Sequence, residues 1–459
     1  MLAFEVGDKL AVDPTHLIAT ECDAPTAQEP KEAGGEYLPD DAQEGCPQDE
    51  APDGGLVAWG TVFVSFVIHI CTPGLLYSFG IFSAHYVAEG VDTAAVISLV
   101  GSTATASMMA PSLLCGYLAE RYGFRVVMFF GSLLMGTAYV AASFCTKVSY
   151  QLFLTQGVLY GLGACLAYIP ALSLPAQWFT KRKAIANGLG VAGGGVGGIV
   201  IALVNQRLIS AVGIEWTLRI TAAALTVSTL AVLPLAKTRV APTRAKFDGS
   251  LFRTTRFGVH LGSTFFNMFP CFIPAFFLPL YARDVVGLSV ADGAALVAIF
   301  NASSAVGRLA VGVVADAMLG RVNTLILCNL TSALSGFFVW SFANTYAALV
   351  VFAVVNGITL GGFWSLLPVL ASQSFGVERL PSVLGMMLSI SSVAFLVGPP
   401  LTGFIRDRVG YVGVAVFSGG LNFVAFLFAC ALRQISPSLP PKEGSITFVS
   451  LINNLKTQI

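Results

Sequence analysis

Twelve stretches of this chain are apolar over the length a membrane-crossing helix requires, and no other feature narrows its fold so far. They fall at 57–84, 93–117, 126–146, 149–173, 184–210, 218–236, 258–282, 291–315, 322–342, 346–370, 381–404 and 411–432. A helix needs about 20 such residues to cross a hydrocarbon core of roughly 30 Å. Of the 459 residues, 55% are hydrophobic and 11% charged, whereas a soluble domain carries about 25% charged residues. A soluble fold could not cover this much apolar surface. Gly and Pro recur inside the stretches, which neighbouring helices in a bilayer tolerate by satisfying the freed backbone groups. The predicted fold class is an all-α membrane protein of twelve transmembrane helices in two six-helix bundles.

Basic residues in the loops predict the orientation. With the first helix entering from the cytoplasm, sixteen Lys and Arg fall inside and six outside. Both termini are then cytoplasmic. Residues 1–52 hold thirteen acidic residues against two Lys with no sustained apolar stretch, which predicts a disordered cytoplasmic tail. Its acidity leaves room for a cytosolic partner. The expected organisation is this tail, a bundle at 53–236, a basic cytoplasmic linker at 237–257, a second bundle at 258–433 and a cytoplasmic tail at 434–459.

Several function classes are disfavoured. Formal net charge is zero, so no basic surface points to nucleic acid. The nine cysteines have neither metal-ligand nor redox spacing, no nucleotide-binding loop is seen, and no catalytic cluster lies at depth. The expectation is a non-enzyme without metal or cofactor. Gly193 to Gly195 with Gly197 and Gly198 lie within an apolar span, where glycines predict close helix packing rather than phosphate binding.

The two halves repeat each other. Gly116 and Glu120 recur as Gly312 and Asp316, Tyr160-Gly161 faces Asn356-Gly357, and Arg182 and Gly188 recur as Arg379 and Gly385, at offsets of 196 or 197 residues. A duplicated six-helix unit accounts for a nearly constant offset across three helix pairs. The run Gly116-Tyr-Leu-Ala-Glu120-Arg121-Tyr-Gly123-Phe-Arg125 resembles the signature loop of the major facilitator superfamily, which usually has Asp in place of Glu120. The resemblance implies two parallel repeats with a site between them near the bilayer midplane. It also implies a conformational latch at Gly116, Glu120, Arg121 and Arg125, echoed by Asp316 in the second half.

Within that superfamily the chain resembles the monocarboxylate porters, especially their fungal branch. Asp53-Gly54-Gly55 with Ala58-Trp59 opens helix 1, and the run from Trp178-Phe179 through Lys181-Arg182-Lys183 to Asn187-Gly188 and Gly193 opens helix 5. The resemblance covers roughly residues 53–433. Two departures stand out: Tyr77 occupies the position of a helix-1 Lys in the animal lactate carriers, and Ser304 that of an Asp one turn before Arg308. Both make lactate a doubtful substrate.

Arg308 lies eight residues before Asp316, which at about 1.5 Å per residue places it roughly 12 Å along the helix and close to the midplane. Burying Arg there costs on the order of 2.5–3.5 kcal/mol, so it should face a cavity. With no acid deep in any span, that cavity favours an organic anion. Arg308, Tyr77, Ser304, His69, Asn356 and Trp364 are the candidate substrate contacts. The expected function is secondary active or facilitative transport by alternating access of a monocarboxylate or larger organic anion, in the plasma membrane. Efflux of a secondary metabolite and a transporter-like sensor are the alternatives.

Overall fold

The computed structural model describes residues 53–239, 249–271 and 273–435. The acidic tail, the centre of the linker and nearly all of the C-terminal tail expected above lie outside the described residues. Within them the chain is helical: α1 (Gly55–Ala88), α2 (Ala94–Met109 and Ser112–Tyr122), α3 (Phe124–Ala142), α4 (Ser149–Gln177), α5 (183–212) and α6 (214–235). The second half follows as α7 (Thr255–Asp284), α8 (Asp292–Leu319), α9 (Arg321–Phe342), α10 (Tyr346–Phe375), α11 (Leu380–Val409) and α12 (Tyr411–Ile435).

Among the described residues, ten continuous helical runs are long and apolar enough to cross a membrane. One of them, Lys183–Leu235, is two spans bent at Gly213, whose φ of 79° only glycine adopts without strain. The broken α2 supplies the remaining span. Its break falls at Pro111, because proline has no N–H to give the helix and its ring clashes with the preceding turn. Pro73 likewise sits in a π-helical turn, Ile70–Gly74, that offsets α1 midway. Large apolar side chains such as Phe130, Phe144, Leu203 and Phe338 are exposed, as a surface against lipid requires.

Small residues set how closely the helices pack. A Cβ on Gly131 would lie 2.7 Å from the Gly163 carbonyl, and one on Gly163 would lie 2.7 Å from the Met135 nitrogen, so α3 and α4 touch backbone to backbone. The glycine run of α5 acts the same way: Gly197 abuts Ile70, Gly193 abuts Phe66, and Gly194 faces Pro73 and Arg308. Without a hydrophobic force between helices in lipid, such close approach supplies the dispersion contacts that hold them together.

The repeat read from sequence reappears as geometry. Gly161 of α4 packs on the Ala104 carbonyl of α2, and Gly357 of α10 packs on the Phe300 carbonyl of α8, at 2.6 and 2.5 Å from a built Cβ. Between the halves, Gly116 packs on Pro381–Ser382 while Gly385 packs on Ser112–Leu113. The second copy mirrors this, with Gly312 on Ala184–Ile185 and Gly188 on the Arg308 carbonyl. The two six-helix bundles therefore meet through two equivalent seams, α2 on α11 and α5 on α8.

Candidate functional site

A cavity of about 60 Å³ opens between the halves. Its walls come from α1 (His69, Pro73, Leu76, Tyr77), α2 (Thr105, Met108, Met109), α4 (Tyr168), α5 (Val191), α8 (Arg308), α10 (Trp364) and α11 (Phe395). Proline at 73 explains part of this. The π turn it occupies re-aims the helix, so that His69 before it and Tyr77 after it both reach the cavity.

Arg308 is 3% exposed. Its Nη1 donates to the Val191 carbonyl across the α5–α8 seam at 2.7 Å, and its Nη2 donates to Tyr77 Oη at 3.3 Å. Its charged carbon also stands 5.9 Å from the Tyr77 ring centre. Among the described residues Nε is buried without a hydrogen-bond partner, and no carboxylate lines the cavity. His69 is wholly buried with its ring edge-on to Tyr168, centroids 5.1 Å apart.

Four of the six residues expected at the substrate site, Arg308, Tyr77, His69 and Trp364, thus share one cavity. Ser304 and Asn356 are elsewhere. Ser304 is buried one turn away, where its carbonyl receives Gly361 of α10. Asn356 donates to Ser332 Oγ and Ser335 Oγ, and with Asn267, Asn329 and Asn422 it lines a second hole of about 10 Å³ inside the C-terminal bundle. That volume suits one water-sized group. Tyr168, Met108, Met109 and Phe395 were not anticipated. In a sequence they are indistinguishable from core or lipid-facing residues.

At the end of the bundle bearing the α2–α3 and α8–α9 turns, each seam closes on a carboxylate at a helix N-terminus. Glu120 accepts from Ser382 N at 2.8 Å and Ser382 Oγ at 2.6 Å, at the start of α11. Asp316 accepts from Ile185 N at 2.9 Å, at the start of α5, and pairs with Arg321 at 2.9 Å. Both anions meet N–H groups that the helix itself leaves without partners. Arg121 and Arg125 do not join this contact. Arg125 donates to the Ala236 and Pro234 carbonyls, closing the C-terminal end of α6 within its own half, and Arg121 donates to Tyr117 Oη on the surface. Arg125 is held by those two carbonyls and Arg121 by the Tyr117 hydroxyl.

The two runs that opened helices 1 and 5 meet in space beside the second seam. Asp53 accepts from Thr180 N at 2.6 Å and Lys181 N at 2.8 Å, Trp59 packs edge-on to Phe179, and Arg321 donates to the Thr180 carbonyl.

Residues 59–316 and 260–455 match the profile of the Major Facilitator Superfamily. The chain belongs to that superfamily. It is a multi-pass membrane transporter, not an enzyme. Among curated superfamily members it is 33% identical over 399 residues to the aspyridones efflux protein apdF of Emericella nidulans, covering 85% of this chain and 81% of that one. It is 30% identical over 377 residues to the agnestins efflux protein AgnL12 of Paecilomyces divaricatus, covering 80% and 86%. These relatives carry the names of metabolite efflux proteins, not of monocarboxylate carriers. Among solved superfamily structures, a variant of the E. coli fucose:proton symporter FucP superposes with a TM-score of 0.65 at 15% identity, covering 82% of this chain and 98% of that one. The human organic anion transporter MFSD10 does so at 0.61 and 14%, covering 81% and 98%. Both show the fold.

Proposed function

We propose that this transporter exports an acidic secondary metabolite by alternating access, with Arg308 reading the acid. The observation that carries the reading is a buried guanidinium whose Nε has no partner among the described residues, on a side chain lining a cavity to which those residues bring no carboxylate. An uncompensated buried cation is costly, and an anionic ligand offsets that cost. Aromatic and sulfur-bearing walls at Tyr77, Tyr168, Trp364, Met108 and Met109 suit an apolar body behind the acid. The efflux names of the relatives support export and a substrate larger than lactate. Kinship to the monocarboxylate porters within the superfamily is supported by Asp53, the helix-5 run and Arg308, while Tyr77 and Ser304 depart from the lactate carriers.

In this reading Glu120 and Asp316, with Gly116 beside them, latch the cytoplasmic end, the plasma membrane holds the protein, and the basic loops face inward. Proteoliposomes loaded with a fungal culture extract test the substrate claim. Mass spectrometry of the outside buffer should find a set of acids released by wild type and not by Arg308→Gln. Release of neutral compounds alone, or the same acids from Arg308→Gln, would refute it.

A further inference from the structure

We infer that His69 makes this site select acids that carry a hydrogen-bond donor near the acidic group: Arg308 takes the acid, and His69 Nε2 accepts an O–H or N–H from the same molecule. This rests on the reading of Arg308 above. The imidazole is oriented by its own helix. Nδ1 lies 2.7 Å from the Ser65 carbonyl oxygen, and a carbonyl can only accept, so Nδ1 carries the proton. In the neutral ring Nε2 is then a bare acceptor. It is buried and has no partner, in a residue that lines the same cavity as Arg308. Turning the ring over would surrender the Ser65 bond, and Tyr168 packs edge-on to the ring at 5.1 Å.

Two residues lining the cavity thus carry a donor seeking an acceptor, Arg308 Nε, and an acceptor seeking a donor, His69 Nε2. A plain carboxylic acid answers only the first. An enolic, phenolic or hydroxylated acid answers both, and a ligand that leaves Nε2 dry forgoes a buried hydrogen bond. The preference is therefore for hydroxy- or amide-bearing acids over simple ones of the same size.

Calorimetric titration of the purified protein with benzoate, the three hydroxybenzoates and the three fluorobenzoates tests this, because fluorine approximates the size of hydroxyl without donating. At least one hydroxybenzoate should bind about tenfold tighter than its fluoro counterpart. His69→Phe keeps an aromatic ring against Tyr168 and should bring that ratio within about twofold. Arg308→Gln should weaken every acid alike. No hydroxyl preference in wild type, or a preference that survives His69→Phe, overturns the role of His69 while leaving the anion reading intact. Acids that bind equally to Arg308→Gln overturn the anion reading itself. If His69→Phe does not fold, His69→Leu takes its place, and the ratio should again fall to within about twofold.

Discussion

Replacing Glu120 by Gln measures what the seam carboxylates contribute to closure. The side chain keeps its length and an oxygen for Ser382 N, 2.8 Å away, but loses its charge at the start of α11. Its amide also turns a donor toward Ser382 Oγ, which stands 2.6 Å from the native carboxylate, so that hydroxyl must rotate. The loss comprises the charged part of two hydrogen bonds and one helix-terminus interaction. Together these come to about 1–2 kcal/mol, a factor of roughly 5–30 in the balance between closed and open states. A reporter cysteine at Ser372, 4% exposed and bonded to Lys183 beside the other seam, reads that balance without touching residue 120. On a cysteine-depleted background, its labelling by a permeant maleimide should rise about tenfold in Glu120→Gln. Asp316→Asn, tested with a cysteine beside the α2–α11 seam, should act in the same direction, and the two should add because the carboxylates close different seams. Unchanged labelling in Glu120→Gln, in protein that inserts and transports normally, would show that the carboxylate does not hold the seam.

Asp53→Asn should lower stability by roughly 0.5–1 kcal/mol through its bonds to Thr180 N and Lys181 N. Burial pulls the Asp53 carboxyl upward, but the backbone N–H groups of Thr180, Lys181 and Arg182 outweigh it and leave the group below the ordinary Asp range. The contribution is therefore complete above an unfolded value of about 3.9 and lost as pH falls through the lower folded value, so thermal melts of wild type and variant should differ equally at pH 6 and 7 and begin to converge only below about pH 4. Gly193→Leu should abolish monodisperse protein on size exclusion, because even a Cβ there would lie 2.9 Å from the Phe66 carbonyl carbon. Lys246→Cys on the cysteine-depleted background should react only with permeant reagents in intact cells, and external labelling would invert the proposed sidedness.

The spans were legible because twenty apolar residues admit few alternatives, and the seams because duplication repeats Gly116 and Glu120 as Gly312 and Asp316. Arg308 was legible for a different reason. A charge deep in an apolar stretch is too costly to face lipid, so its presence alone points inward. Helix rotation was not legible. His69 and Asn356 look alike as single polar residues in apolar runs, yet one faces the central cavity and the other the core of its own bundle. The π turn at Pro73 decides part of this, and hydropathy does not record it. The signature loop also carried Arg121 and Arg125 together with Glu120, whereas in space Arg125 serves the end of α6.

The site and the seams are not independent parts. Arg308 Nη1 crosses from α8 to the Val191 carbonyl of α5 at 2.7 Å, while the Arg308 carbonyl receives Gly188 of the same α5. The residue proposed to read the substrate is therefore itself one of the bonds between the halves, two helical turns along α8 from Asp316. A ligand shifts a conformational balance only by binding its states unequally, and here the inequality has a physical source. An acid held by Nε alone leaves the Val191 bond intact, but one that also draws on Nη1 must displace Val191 in the closed arrangement and finds that donor free once the α5–α8 seam has parted. The bond at stake is a charged one, worth about 1.5–3 kcal/mol, comparable to the loss worked out for Glu120. The prediction is that saturating acid raises Ser372→Cys labelling in wild type by a factor similar to that of Glu120→Gln, and does nothing in Arg308→Gln. Labelling that falls when the acid binds would mean the ligand strengthens the seam, and the coupling would run in the opposite sense.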